Sequence, residues 1–225
     1  MTSLKGKMVF ITGSSSGIGR ATALFFAKEG CRLIITYHKD KKEGLEVAQT
    51  CKEYGAPDIL LLQLDMMNNK SIQNGVKMII DKFGKIDILI NNAGVLVEGD
   101  LDKQSFEGIE NQVRTNLEGL IKMTKACLPY ISETIINIAS EIGKIPYKDL
   151  SVYCASKFGV RGFTQTLALE FPKLALYNVN PTSTATKMNN FEGMPPEKVA
   201  QVIINTAKGL YAVENGGDVD VWEKI

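Results

Sequence analysis

Histidine is nearly missing: 225 residues carry a single one, His38. A Ser-His-Asp triad or a histidine-rich metal centre would have to use His38 or do without. Acid–base chemistry therefore falls to carboxylates, tyrosine, lysine or cysteine. Cysteine is also sparse. Cys31, Cys51, Cys127 and Cys154 show no Cys-x-x-Cys spacing, so neither a zinc site nor a disulfide framework is indicated, and a reducing cytoplasm fits. An excess of either charge is lacking too. The 26 basic and 25 acidic residues leave +1, without the basic surplus that a nucleic-acid surface needs. No apolar run approaches the ~20 residues of a membrane helix, and Met1 to Lys7 lacks the apolar core of a signal peptide. Neither nucleic acid nor membrane is an expected partner.

What is present is alternation. Short apolar, β-branched runs recur at Met8–Thr12, Arg32–Tyr37, Ile59–Leu64, Ile86–Asn91, Thr134–Ala139, Ala175–Asn180 and Val219–Trp222. Between them lie helical patterns at Ile18–Glu29, Lys41–Tyr54, Lys70–Phe83, Phe106–Pro129, Ser151–Phe171 and Pro196–Tyr211. Strands too apolar to be half exposed, alternating with helices, predict a single α/β domain over residues 1–225. Its architecture is a doubly wound, Rossmann-type parallel sheet of seven strands with helices on both faces. Ligands of such sheets bind beyond the carboxyl ends of the strands, where strand order reverses. No repeat or linker interrupts the pattern. The segment near 187–195 reads as a short substrate loop.

Three stretches carry chemistry. The first strand runs into "TGSSSGIGRA", with glycines at 13, 17 and 19 where a strand turns into a helix. Gly13 allows the tight turn, Gly17 lets backbone N–H groups approach a phosphate, and Gly19 lets the helix pack on the strand. The helix N-terminus adds free donors and partial positive charge, which suit a pyrophosphate. The fourth strand ends in "NNAG", where Gly94 would keep the crevice open and Asn91 would tie neighbouring strands. "SVYCASKFG" sets Tyr153 four residues ahead of Lys157, on one side of a helix. An ammonium about 4 Å from a phenol, at an effective dielectric near 20, is worth roughly 4 kcal/mol, or up to about three pKa units. Desolvation opposes that shift.

Gly13-x-x-x-Gly17-Ile18-Gly19, Asn91-Asn92-Ala93-Gly94, Ser140 and Tyr153-x-x-x-Lys157 stand in an order and spacing that resemble the classical short-chain dehydrogenase/reductase family, from about Leu4 to about Trp222. The resemblance implies an NAD(P)(H)-dependent oxidoreductase that passes a hydride between nicotinamide and a carbonyl or secondary alcohol, 3-oxoacyl thioesters among the substrates. It implies Tyr153 as general acid/base, Lys157 as its partner and a ribose ligand, Ser140 as donor to the substrate oxygen, and Asn116 as support for a proton-relay water. The implied cofactor-binding set is Gly13, Ser14, Ser15, Ser16, Gly17, Ile18, Gly19, Tyr37, His38, Lys39, Asp65, Met66, Asn92, Ala93, Gly94, Lys157, Pro181, Thr182, Thr184 and Thr186. Asp65 has a second reading as the N-cap of the helix that follows. The alternative to an enzyme is an inactive NADP-binding sensor or scaffold of the same fold.

Two departures from the family pattern bear on the site. Thr182 stands in "NVNPTSTATKM" where the family has glycine, so a Cβ narrows the pocket floor or is harmless. The lid after Thr186 is short, which suits an open site, a bulky or carrier-borne substrate, or a pocket completed by another subunit. The family's acidic position at the end of the second strand falls on Tyr37, followed by His38 and Lys39. With Ser14 or Ser15 as hydroxyl donors, this favours NADP(H), with NAD(H) as the alternative. A homodimer or homotetramer is expected. Leu117, Leu120, Phe163 and Leu167 would extend its contact or else fill the core.

Overall fold

The computed structural model describes residues 2–225. Period-two alternation assigns the faces of the sheet. In β1 (Met8–Ile11), Val9 and Ile11 pack into one core with α1 (Gly17–Lys28) and α7 (Pro196–Ala207). Met8 and Phe10 pack into the other core with α3 (Asn69–Phe83) and α5 (Leu120–Cys127). A strand covered on both faces shows water no polar side, which is why β1 reads as a continuous apolar run.

The remaining strands are β2 (Arg32–Tyr37), β3 (Ile59–Gln63), β4 (Ile86–Asn91), β5 (Ile131–Ile138), β6 (Ala175–Asn180) and β7 (Asp218–Asp220). They form one seven-stranded sheet in the order β3-β2-β1-β4-β5-β6-β7, every pair parallel. The expected doubly wound sheet is therefore present. The chain winds outward from β1 to β3, then crosses back to set β4 on the other flank of β1. Strand order reverses there, so the crevice opens beyond the carboxyl ends of β1 and β4.

Thr12 holds the two lips of that crevice together. Its hydroxyl accepts hydrogen bonds from the Asn92 and Ala93 N–H groups, both at 3.0 Å. The Asn92 side-chain amide returns a donor to the carbonyls of Thr12 at 2.9 Å and Gly13 at 3.1 Å. One strand away, Asn91 Nδ2 donates to Asn137 Oδ1 at 2.8 Å and to Thr124 Oγ1 at 2.9 Å, tying β4 to β5 as the sequence suggests.

Several bounds differ from expectation: the last helix ends at Ala207 rather than Tyr211, β5 starts at Ile131 rather than Thr134, and two further elements change in kind. The single helix expected over Phe106–Pro129 is three pieces: α4 (Phe106–Val113), a π-helical turn at Arg114–Gly119, and α5. The wider turn swings Asn116 inward. Its Oδ1 accepts from Val95 N at 2.8 Å, while Nδ2 donates to Val95 O at 2.8 Å and to Ser156 Oγ at 3.3 Å. Gly119 closes the turn against the chain after β3, where a Cβ would lie 2.6 Å from the Met66 carbonyl. The last strand is Asp218–Asp220 rather than Val219–Trp222, because Val221–Glu223 coils into a 3-10 turn.

Candidate active site

A cavity of about 750 Å³ runs along the crevice. One half is walled by Gly13, Ser15 and Ser16 from the turn after β1 and Gly17 and Ile18 from the start of α1, by Tyr37 at the end of β2 with His38 and Lys39, and by Asp65 and Met66 after β3. Asn92, Ala93 and Gly94 form its floor beyond β4. Ser140, Tyr153, Lys157, Pro181, Thr182, Thr184 and Thr186 continue the wall. The other half is built by Val95, Leu96, Glu98, Ile142, Tyr147, Leu150 and Met188 from loops and short turns, with Asn111 of α4 and Thr115 of the π turn, none of them marked by a motif.

The turn after β1 has the properties of an anion cradle. Three helices close their first turn with a side chain: Asp40 for α2 (Lys41–Glu53), Asn68 for α3 and Ser105 for α4. α1 does not. Ser16 precedes it without a capping hydrogen bond, and its first turn holds no acid. Unpaired N–H groups and the positive end of the helix thus face the cavity. Gly13, at φ +65°, has no room for a side chain, since a Cβ would sit 2.9 Å from Ala93 Cα. These features fit the pyrophosphate of a dinucleotide.

Three expected site residues are not on the cavity wall. Ser14 is fully buried; its hydroxyl donates to the Ile11 carbonyl at 2.9 Å and accepts from Thr36 N at 2.8 Å. Its one proton is used inside the fold, so the expectation that Ser14 offers a hydroxyl to a ligand is corrected, and Ser15 is left to do so. Gly19 packs behind the turn, where a Cβ would meet the Gly13 carbonyl at 2.3 Å. Asn116 sits behind Val95, holding that residue's N–H and C=O. Asp65 is not the helix cap, because Asn68 takes that role. Asp65 Oδ1 accepts instead from Met67 N at 2.9 Å, and Oδ2 lies 4.0 Å from His38 Nε2.

Ser140, Tyr153 and Lys157 meet where β5 and α6 (Ser151–Glu170) converge. Ser140 sits just past β5, with its hydroxyl accepting from Ile142 N at 3.2 Å. The following turn lies against α6, where a Cβ at Gly143 would come 3.0 Å from the Lys157 carbonyl. Lys157 is 4% exposed. Its Nζ donates to the Ile138 carbonyl at 2.8 Å and stands 5.5 Å from the centre of the Tyr153 ring. No carboxylate pairs with it among the described residues. Burial pushes Lys157 down to about 8. Burial also pushes Tyr153 up to about 12, against a hydrogen bond with the Ser140 side chain that acts the other way. The expectation of a lowered tyrosine pKa is thus corrected: the Tyr153 hydroxyl is raised. Burial is the largest cause of the rise, and the ammonium is held on the Ile138 carbonyl.

The segment after β6 is a folded flap. Ala185 N donates to Met194 O at 2.8 Å and Met194 N to Ser183 O at 2.9 Å, closing a loop between them. Lys187 pairs with Glu43 in the first turn of α2, so the flap reaches across the nucleotide half of the crevice. Thr182 is on the cavity wall and outside the left-handed region, so its Cβ brings no backbone strain. Cys154 is half buried, with Sγ 3.3 Å from the Ile142 carbonyl and its thiol pushed up by burial.

Comparison with known proteins agrees with this arrangement. The family model described as short chain dehydrogenase matches residues 7–195. The chain is 32% identical over 209 residues to a 3-oxoacyl-[acyl-carrier-protein] reductase of Synechocystis, covering 90% of this chain and 83% of that protein. It is 35% identical over 173 residues to a 3-ketodihydrosphingosine reductase of Bacteroides thetaiotaomicron, covering 74% of this chain. It is 31% identical to 11-beta-hydroxysteroid dehydrogenase A of Sesamum indicum, covering 78% of this chain. The match spans only 59% and 52% of the length of the latter two relatives. Among solved structures, a short chain dehydrogenase from Burkholderia cenocepacia in complex with NADP superposes with TM-score 0.90 at 26% identity, covering 97% of each chain. A dehydrogenase/reductase from Sinorhizobium meliloti shares the fold with TM-score 0.89 at 23% identity, covering 97% of this chain and 95% of that one.

Proposed function

Since this chain belongs to the short-chain dehydrogenase/reductase family of oxidoreductases, we propose that it interconverts a carbonyl and a secondary alcohol at Tyr153. The observation that carries this reading is the convergence of Ser140, Tyr153 and Lys157 on one cavity whose other half fits a dinucleotide. A bound nicotinamide dinucleotide supplies the hydride in reduction and receives it in oxidation. In reduction, the Tyr153 hydroxyl gives its proton to the substrate oxygen as that oxygen gains charge, and Ser140 holds the oxygen by its own hydroxyl. Lys157 places a positive charge beside the phenolate left behind. Asn116 is a positioning residue: it fixes Val95, and so the wall between the two halves of the cavity. A binding-only protein would have no use for the Ser140 and Tyr153 hydroxyls together. A panel of ketones and secondary alcohols, followed at the absorbance of the reduced nicotinamide, tests the reading; failure of every member with both cofactors would overturn it. 3-Oxoacyl thioesters, ketosphingoid bases and hydroxysteroids belong in that panel, because relatives act on them by name.

NADP(H) is the preferred cofactor in this reading. Tyr37 puts no charge at the end of β2, and its ring lies against Gly44 of α2, where a Cβ would be 3.1 Å from Tyr37 Cδ1. His38 and Lys39 are exposed on the cavity wall. Asp40 faces away, with its Oδ1 accepting from Glu43 N at 3.0 Å. A 2′-phosphate at this edge would have Lys39 as its cation and the His38 ring as a donor, with Asp65 4.0 Å from His38 on the same wall. NADPH is expected to bind about tenfold more tightly than NADH at low ionic strength, with the margin shrinking as salt screens the charges. Tyr37→Asp should reverse the order. Affinities that favour NADH in the unsubstituted protein would overturn the preference.

A homodimer or homotetramer is also proposed, on a surface different from the expected one. Leu120 and Leu167 are buried, and Leu117 and Phe163 pack against a core cluster. Exposed apolar residues lie elsewhere on α4 and α6: Phe106 is 92% exposed and Leu169 83%, with Val113 and Phe158 also open. Phe158 and Leu169 are eleven residues apart, about three helical turns, so they share one face. A second copy covering this face removes the exposed area from water. Light scattering at micromolar concentration should give at least a dimer, and a Phe106→Asp/Leu169→Asp protein should give a smaller species; a monomer before substitution refutes the proposal. A cytoplasmic setting completes the reading, with all four cysteines free. No described helix is long and apolar enough to cross a membrane.

A further inference from the structure

The two halves of the cavity differ in charge. Lys39, His38 and Asp65 wall the nucleotide half, Asp65 lying 4.0 Å from His38, together with Lys187, which pairs with Glu43. Beyond Tyr153 the wall carries the apolar Val95, Leu96, Ile142 and Leu150 and the polar Asn111, Thr115 and Tyr147, and its charged side chains are Glu98 and Glu141. Neither carboxylate has an ion-pair partner among the described residues. Other charges at this rim cancel. Asp100 pairs with Lys103 at 2.6 Å, and Asp149, whose pKa is raised chiefly by its hydrogen bond with Asp100, has Lys148 and Lys103 as nearby opposing charges. Lys144, on the turn after Glu141, is held at 2.5 Å by Asp220. The one further cation on the wall is Lys157, which is bound to the Ile138 carbonyl at the back of the site.

Two uncompensated carboxylates beside apolar walls set a negative potential over the path a substrate takes to Tyr153, because low-dielectric walls focus the field. We infer that the substrate is an apolar carbonyl or alcohol that is neutral or cationic, and that Glu98 and Glu141 are specificity-determining residues that reject anions. This rests on the oxidoreductase reading above and narrows it. A carboxylate or phosphate on the substrate meets two like charges and finds no free cation to receive it. An ammonium group gains from the same field. Thioesters delivered on a phosphorylated carrier arm are therefore disfavoured relative to free apolar ketones.

The test uses one aryl ketone skeleton carrying a para methyl, aminomethyl or carboxylate group, with NADPH at neutral pH and low salt. The expected kcat/KM for the carboxylate is about tenfold below that of the methyl ketone, with the aminomethyl ketone at or above it; the spread should shrink in about half-molar salt. In a Glu98→Gln/Glu141→Gln protein the carboxylate-to-methyl ratio should rise about tenfold. Equal use of the carboxylate by the unsubstituted protein, or a ratio that the double substitution does not move, overturns the inference. If none of the three is reduced while other members of the panel are, only this skeleton is refused; if the whole panel fails with both cofactors, the oxidoreductase reading is at fault. The charge rule is then decided by binding of the same ketones to the protein–NADPH complex, read from NADPH fluorescence. Weakest binding of the carboxylate supports it, and equal or tighter binding overturns it.

Discussion

Replacing Tyr153 with phenylalanine should cut turnover at least ~10³-fold, in the upper range for loss of a positioned acid, while cofactor affinity stays within about threefold. The ring remains, so the packing around Lys157 survives and only the proton donor is lost. Glu141 and Tyr147 share the cavity wall, but of the acids there only Tyr153 is hydrogen-bonded to the Ser140 side chain. Ser140 keeps its proton at neutral pH, and the Cys154 thiol lies against the Ile142 carbonyl. Lys157→Ala should lower both turnover and cofactor affinity. The pH profile separates the two groups. Burial pushes Lys157 down to about 8, so its charge is present below that pH and lost above it. kcat/KM for reduction should then be level below about 8 and fall as pH rises, since the neutral amine no longer supports the phenolate. Lys157→Arg should remove that limb. Stability moves the other way over the same range. The unfolded chain binds more protons at Lys157 between about 8 and its ordinary value, so the fold gains as pH rises through that window. Tyr153, raised to about 12, gives a fold that loses stability as pH climbs from its ordinary value to that point. Substantial turnover by Tyr153→Phe on an accepted substrate would sink the assignment.

Gly19→Ala should be as damaging through sterics alone. A Cβ at Gly19 lies 2.3 Å from the Gly13 carbonyl oxygen and 2.5 Å from Asn92 Nδ2. The first contact is with backbone, and the second is with the amide that clamps the two lips of the crevice. Neither can yield without opening the turn that forms the anion cradle. The expected cost is about 3 kcal/mol of stability, the upper range for overpacking, or roughly 6–12 °C in Tm for a domain of this size. Cofactor affinity should fall by ~100-fold, because donors that must converge on a phosphate are spread apart. Gly75→Ala in α3 is the control. Its Cβ would make an ordinary contact, 3.5 Å from Leu64 Cδ1, and alanine is the better helix former by about 1 kcal/mol. Calorimetry and cofactor titration on both proteins would check this. A Gly19→Ala protein with unchanged Tm and affinity would refute the close-packing argument.

The sequence by itself determined the sheet. Strands covered on both faces need apolar residues at every position, and that demand is local enough to read from runs such as "MVFI" and "LIIT". It also determined which residues converge, because Gly13, Asn92, Ser140 and Tyr153 each follow or adjoin a recognisable strand or helix. Tertiary structure decided what those residues do with their atoms. Ser14 looks like a free hydroxyl in "TGSSSGIG", but its proton goes to Ile11 and its lone pair to Thr36, a residue on the next strand. The break at Asn116 was not legible, since α4, the π turn and α5 share one helical pattern and the wider turn answers to Val95 and Ser156, far away in the chain. Glu98 and Glu141 carry no motif at all, and they share a cavity wall only because β4 and β5 are neighbours. The pKa of Tyr153 went up where spacing alone suggested down. Spacing reports the distance to a charge, whereas the cost of removing a phenolate from water is set by everything packed around it.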